Sequence, residues 1–272
     1  MKVVNLRDRS FEQIAAGYCS VTGTTDLLRW DRTCKQSTPT VYTDVFLEDG
    51  IANLAGDKIA WLLEPFAVSP QLYDWILKNH RLFVEVWSHD DQTLSAIDNG
   101  LYVPLGGCRI DEWDQRVWPK EKLVSFFASN KDHTAGHKLR QKIRAVLPSY
   151  VSDYGLGDRF LDRVVDGLAP YAYSITVEND WRDSWFCERL ICCFRTGAVP
   201  IYWGSREIYR FFDPRGVIHF QTVEELLSIL SSLSLDDYAS RHVAIEKNFE
   251  AAKHLRCPEH WIATHSKALR EK

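Results

Sequence analysis

Several common functional marks are missing from this 272-residue chain. No Cys-x-x-Cys pair occurs, and the cysteines (Cys19, Cys34, Cys108, Cys187, Cys192, Cys193 and Cys257) are seven in number and irregularly spaced. That pattern argues against a zinc site and against a disulfide framework. With no Asn-x-Ser/Thr sequon either, a reducing, cytoplasmic setting is expected. No apolar run is long enough to span a bilayer. The opening MKVVNLRDRSFEQ meets charges too soon to read as a signal peptide. Basic residues are not in excess: 33 Lys and Arg against 37 Asp and Glu leave a net charge of −4, unlike a general nucleic-acid binder, which leaves room only for a local basic patch. A P-loop is absent. Gly155-Leu156-Gly157 lacks the third glycine of a dinucleotide fingerprint, so hydride chemistry has little support. There is no Gly-x-Ser-x-Gly elbow for an α/β-hydrolase, and no Asp-x-Asp pair of the kind that holds a metal diphosphate.

What is present is a large core. The chain is 45% hydrophobic and 12% aromatic, enough for one large domain or two of ordinary size. Short β-prone runs at residues 3–6, 40–44, 58–64, 82–87 and 100–106 alternate with helical or irregular stretches. Residues 107–120 turn polar and read as a linker. The rhythm then restarts, with strands expected at 122–129, 150–153, 171–177, 198–203 and 216–220 and a basic helix at 137–147. Amphipathic helices are expected at 223–233, 236–252 and 259–269. This βαβ rhythm predicts parallel sheets, hence an α/β fold with two Rossmann-like domains facing across a cleft. The expected boundaries are 1–118, 119–255 and a C-terminal helix, 256–272, packing back on the first domain.

Residues 171–204 concentrate the candidate chemistry. An apolar strand ends in Glu178-Asn179-Asp180. A helix expected at 185–195 carries Glu188 and Arg189 in its first turn and stops at Gly197. Up to Phe194 its other residues are apolar, so these charges are expected to be paired or to face a cleft. Glu178 and Asn179 read either as a strand-end turn or as a grip on sugar hydroxyls. On the basic helix, Arg140 is the candidate phosphate cation among Lys138, Lys142 and Arg144. The general-base candidates are Asp90 and Asp91, at the end of a first-domain strand, and Glu64, at the end of another. Asp90 and Asp91 each read equally well as part of a polar turn.

Taken in order, Glu178-Asn179, Glu188-Arg189 and Ala198-Val199-Pro200-Ile201-Tyr202-Trp203-Gly204 resemble the donor-binding signature of the α1,3/4-fucosyltransferases, glycosyltransferase family 10. Val124 to Asn130 resembles that family's F-V-x-S-N strand, with Arg140 at a suitable distance. Val151 to Gly155 resembles its V-D-S-G-G turn, and Phe212-Asp213-Pro214 to Ile218 its F-x-P-x-S-F-I segment. The likeness spans about residues 122–220. It implies a GT-B type fold and inverting transfer of a sugar from a nucleotide sugar, GDP-fucose in typical members, to a hydroxyl of a glycan acceptor. No metal and no further cofactor would be required. Glu188 would hold donor hydroxyls, Arg189 would stand where a Lys meets the diphosphate, and Arg140 would be the second phosphate cation. Asn179 and Trp185 would line the nucleotide pocket, with Glu178, Ser129, Asn130 and Tyr202 in the same donor site. The base would be a first-domain carboxylate that no motif identifies; Asp90 or Asp91 follows only from approximate distance to Tyr102-Val103-Pro104. Arg for Lys and Trp for Tyr leave another donor open, such as UDP-xylose. A non-catalytic nucleotide-sugar or glycan-binding module, and an NAD(P) oxidoreductase on the same sheet topology, are the remaining alternatives.

Overall fold

The structure, a computed structural model, describes residues 1–8, 25–35, 39–52 and 56–270; Cys19 and the last two positions of the expected C-terminal helix lie outside them. Two parallel sheets make up the α/β architecture. The first contains β1 (Lys2–Arg7), β2 (Leu28–Asp31), β3 (Thr40–Thr43), β4 (Lys58–Trp61), β5 (Glu85–Ser88) and β6 (Gly100–Tyr102), in the order β2-β1-β3-β4-β5-β6. Its connections include α1 (Leu47–Ala52), α2 (Pro70–Asn79) and α3 (Asp91–Ser95). The second contains β7 (Lys122–Phe127), β8 (Ser152–Tyr154), β9 (Tyr171–Val177), β10 (Val199–Trp203) and β11 (Ile218–His219), in the order β11-β10-β9-β7-β8. Its helices are α4 (Ala135–Arg144), α5 (Glu188–Thr196), α6 (Val223–Ser232), α7 (Leu235–Ser240) and α8 (His242–Leu255). Two short helices, α9 (Pro258–His265) and α10 (Lys267–Arg270), close the chain.

Parallel strands covered on both faces must be apolar throughout, and β9 is buried along its whole length. Around the second sheet, Val124, Phe126, Tyr173, Ile201 and Leu226 pack together, while Phe186, Leu190, Phe194, Phe212 and Leu255 form a separate cluster. In the first half Tyr42, Ala60, Tyr73 and Ile76 pack together, and Leu6, Ile59, Trp61 and Trp87 join Ile262 and Leu269 from α9 and α10. Trp30 Nε1 donates to Glu259 (3.0 Å), and Ser266 Oγ donates to Glu85 (2.6 Å), so the last helices are bonded to the first sheet as well as packed on it.

The chain thus crosses between the halves twice, once between β6 and β7 and once between α8 and α9. The crossings touch. The Gly107 amide donates to Leu255 O (3.0 Å), and a Cβ on Gly106, whose φ is 43°, would lie 2.1 Å from that same oxygen.

Three elements differ from the sequence expectation. β2 was not foreseen: it is a short edge strand in which only Leu28 is fully buried, so no apolar run marks it. The expected 236–252 helix breaks at Arg241 into α7 and α8. Helix α5 begins at Glu188 rather than Trp185, because Ser184 takes a left-handed conformation (φ 63°) and Cys187 is extended (φ −131°, ψ −174°).

Candidate active site

In the second sheet the chain leaves β7 for the edge strand β8 and returns on the other side of β7 as β9. The loops after β7 and β9 therefore diverge, and a crevice opens at their carboxyl ends, the usual ligand position of an open parallel sheet. A cleft of about 1090 Å³ lies there. Ser129, Lys131, His133 and Thr134 line it from the loop after β7, Arg140 from α4, Asn179 from the end of β9, and Trp185, Glu188 and Arg189 from the α5 entrance. The first half contributes Glu64, Ala67 and Val68, and the connection between the sheets contributes Gly106, Gly107 and Arg109.

The floor of the cleft is a charge network. Arg140 is buried; its Nη2 donates to Asn179 Oδ1 (2.5 Å) and its Nε to Gly136 O (3.3 Å). Burial, and then the nearby Arg189, pull its pKa down to about 10, so it stays cationic at neutral pH. Arg189 Nη2 donates to Glu178 (3.2 Å) and to Asn179 (3.3 Å). Burial opposes its charge, yet Cys187, Glu188 and Glu178 together hold its guanidinium above the ordinary value. Burial would raise the Glu188 carboxyl, but Arg189 and Arg109 keep it below the usual range; Arg109 Nη2 stands 3.4 Å away. Two donors in this wall, Arg189 Nε and Trp185 Nε1, are buried and find no partner among the described residues. Buried donors are nearly always paired, so a ligand rich in oxygen acceptors suits this surface.

Helix α4 presents its amino end here. Thr134 caps it by accepting from the His137 amide (3.2 Å), and the helix dipole adds partial positive charge. The approach to β9 is close: a Cβ on Gly136 would lie 1.7 Å from Glu178 O. Glu178 itself is fully buried. It accepts from the Cys187 amide (3.2 Å), from Cys187 Sγ (2.9 Å) and from Tyr202 Oη (3.2 Å). Glu178 and Tyr202 therefore do not line the cleft but brace the turn into α5. Asn130 is exposed and lies outside it too.

The first-half candidates separate sharply. Asp90, 1% exposed, caps α3: it accepts from the Thr93 amide (3.0 Å) and hydroxyl (2.5 Å) and from both Nε and Nη2 of Arg182. Burial would raise its carboxyl, but Arg182 and Thr93 bring it below the usual range. Asp91 is bonded to Ser184 Oγ and to Arg210 Nη1 (3.2 Å). Neither aspartate lines the cleft; both tie the loop between β9 and α5 to the first half. Glu64 does line it. Its backbone is pinned from two sides, with Asp44 Oδ1 accepting from the Leu63 and Glu64 amides (2.9 and 3.3 Å) and Tyr73 Oη donating to Glu64 O (2.6 Å).

Arg109, Lys131, His133 and His137 line the cleft without having been singled out from the sequence. Arg109 sits in the polar connection, Lys131 and His133 follow β7 in what reads as a turn, and His137 opens the basic helix. Their only signal is clustered positive charge after a strand. Among the described residues, no group of three or more His, Cys, Asp and Glu could hold a metal ion, and no helix is long and apolar enough to cross a membrane.

Burial lowers the pKa of His89 to about 3 and those of His137 and His219 to about 4. Each is neutral when folded, whereas an unfolded histidine titrates near 6.5. Below that value the unfolded chain binds more protons, so stability falls as pH drops from about 6.5 towards these lowered values. For His89 alone the expected loss is about 2 kcal/mol at pH 5. Urea unfolding at pH 7.5 and pH 5 measures it, and His89→Gln should flatten the slope.

The family model for glycosyltransferase family 10 (fucosyltransferase), C-terminal part, matches residues 117–268. An α-(1,4)-fucosyltransferase of Arabidopsis thaliana is 26% identical over 98 residues, 35% of this chain and 24% of that protein; the aligned stretch spans about a quarter of that relative's length. Among solved structures, an α1,3-fucosyltransferase with GDP superposes with a TM-score of 0.55 at 14% identity, covering 93% of this chain and 89% of the other. An α1,3-fucosyltransferase with GDP-fucose gives 0.52 at 12% identity, with the same 93% and 89% coverage. The two parallel sheets and these neighbours agree with the expected GT-B type fold.

Proposed function

The chain belongs to glycosyltransferase family 10, and from that premise we propose that it transfers a sugar from a nucleotide sugar to a hydroxyl of a glycan acceptor, with GDP-fucose the first donor to try. The observation that carries this reading is the composition of one cleft. Arg140, Arg189 and Trp185 lie on its second-half side, Arg189 Nε and Trp185 Nε1 having no partner among the described residues, and Glu64 is contributed by the first half. The solved neighbours, one with GDP and one with GDP-fucose, favour the same donor class.

In this reading the diphosphate rests on Arg140, Arg189 and the amino end of α4. The Glu188 carboxylate accepts from sugar hydroxyls, and Trp185 and Asn179 wall the donor. Glu64 takes the proton of the acceptor hydroxyl as that oxygen bonds to the anomeric carbon. The bond from that carbon to the diphosphate oxygen breaks, and its electron pair leaves with the nucleoside diphosphate. The arginines stabilise the charge that develops there. Attack from the face opposite the nucleotide inverts the anomeric centre. Ser129 sits at the rim.

A thermal-shift panel of GDP, GDP-fucose, UDP, UDP-xylose and NAD tests the donor class. A nucleotide at about 100 times its Kd adds about 2.7 kcal/mol to the folded state, which for a chain of this size raises Tm by about 5 °C or more. GDP and GDP-fucose are expected to do so. A response to UDP-xylose alone would change the donor, and a response to NAD alone would move the protein to a different class of reaction.

A further inference from the structure

Three buried rings connect the cleft's two sides. Trp185, in the second half, packs on His89 at the end of β5, with ring centroids 4.4 Å apart and planes tilted by 56°. His89 Nε2 lies 3.2 Å from Tyr73 Oη on α2, and Tyr73 Oη donates to the carbonyl of Glu64 at 2.6 Å. All three side chains are at most 2% exposed. Tyr73 Oη thus meets both the Glu64 carbonyl and the His89 ring, and the direction of its bond to Nε2 follows the histidine tautomer. Neither Tyr73 nor His89 lines the cleft, so neither touches the substrate.

We propose that Trp185, His89 and Tyr73 form a positioning chain that holds Glu64 in register with the sugar-nucleotide pocket across the junction of the two halves. The proposal rests on the reading of Glu64 as the base. Asp44 fixes the amide side of Glu64 within the first half. The carbonyl side is fixed by Tyr73, which also bonds His89, a ring packed against Trp185 in the donor wall. Placing a donor against Trp185 therefore bears on the backbone that carries the base. Misplacing a reacting group by about 1 Å can cost as much as 100-fold in rate, which gives a single hydrogen bond at this point leverage over turnover.

The test follows GDP release from GDP-fucose, with water as the acceptor, in wild type, Glu64→Gln, Tyr73→Phe, Trp185→Phe and the Tyr73/Trp185 double variant. Tyr73→Phe is expected to lower kcat about tenfold while the Kd for GDP stays within about twofold. The double variant is expected to lose less than the product of the two single losses, since the residues act along one chain. A wild-type kcat in Tyr73→Phe alongside an inactive Glu64→Gln would sink the chain and leave the base reading standing. Full activity in Glu64→Gln would remove both. A kcat that falls only in step with Tm, or strictly multiplicative losses, would reduce Tyr73 and His89 to packing residues.

Discussion

Glu64→Gln is expected to reduce kcat by about 10²- to 10⁴-fold and to leave nucleotide binding within about twofold of wild type. The amide keeps the size of the carboxylate, and Asp44 and Tyr73 still hold the main chain of residue 64. What it lacks is a site for the acceptor's proton. Asp90→Asn supplies the contrast. Arg182 and Thr93 occupy the Asp90 carboxylate, so that substitution should weaken the junction between the halves and lower stability, with a smaller effect on chemistry. Breaking a buried pair from one side typically costs about 3 to 5 kcal/mol. Steady-state kinetics set beside urea unfolding separates the two effects. A Glu64→Gln protein with unimpaired turnover would pass the base role to another group.

The second large effect is expected from the smallest change. Gly136→Ala places a methyl 1.7 Å from Glu178 O, 2.8 Å from its carbonyl carbon and 3.0 Å from Asn179 O. These are backbone atoms at the end of β9 and cannot swing aside, so the first turn of α4 must retreat from the sheet. Overpacking against backbone should cost about 3 kcal/mol or more. Thr134 and Arg140 ride on the same turns, so nucleotide affinity should fall with stability. Gly157→Ala is the matched control. Its φ of 54° strains an alanine, but nothing lies within 4 Å of the added methyl, and the expected cost is only about 1 to 2 kcal/mol. Equal stability of the two variants would mean that the helix has room that the geometry denies it.

The contrast between Asp90 and Glu64 also shows what kind of information a sequence carries. Buried parallel strands are visible in it, because they must be apolar along their length: β9 runs over residues 171–177, as its composition predicts. The pairing of Glu188 with Arg189 at a helix entrance was legible for a similar reason, since charges in an otherwise apolar helix need partners. Side-chain direction at a strand end was not. Glu178 and Asn179 are adjacent, yet one is sealed beneath the floor and the other faces the cleft, as alternation along an extended chain requires. Asp90 matched the polar pattern of a base as well as that of a polar turn, and the partner that decides the matter, Arg182, lies 92 positions along the chain. Arg109 was hidden in a stretch that reads as a linker, because only the folded path of the chain brings it to Glu188.

The meeting of the two interhalf crossings at Gly107 and Leu255 acts mechanically as a pin. Sliding one half along the other would stretch both cords at once, whereas rotation about the point where they touch strains neither cord and has to break the bonds of Asp90 to Arg182 and of Asp91 to Arg210 instead. Gly106 and Gly107 also belong to the cleft wall, so the wall beside the pin stays nearly still during such a turn. The rim on the far side sweeps the largest arc.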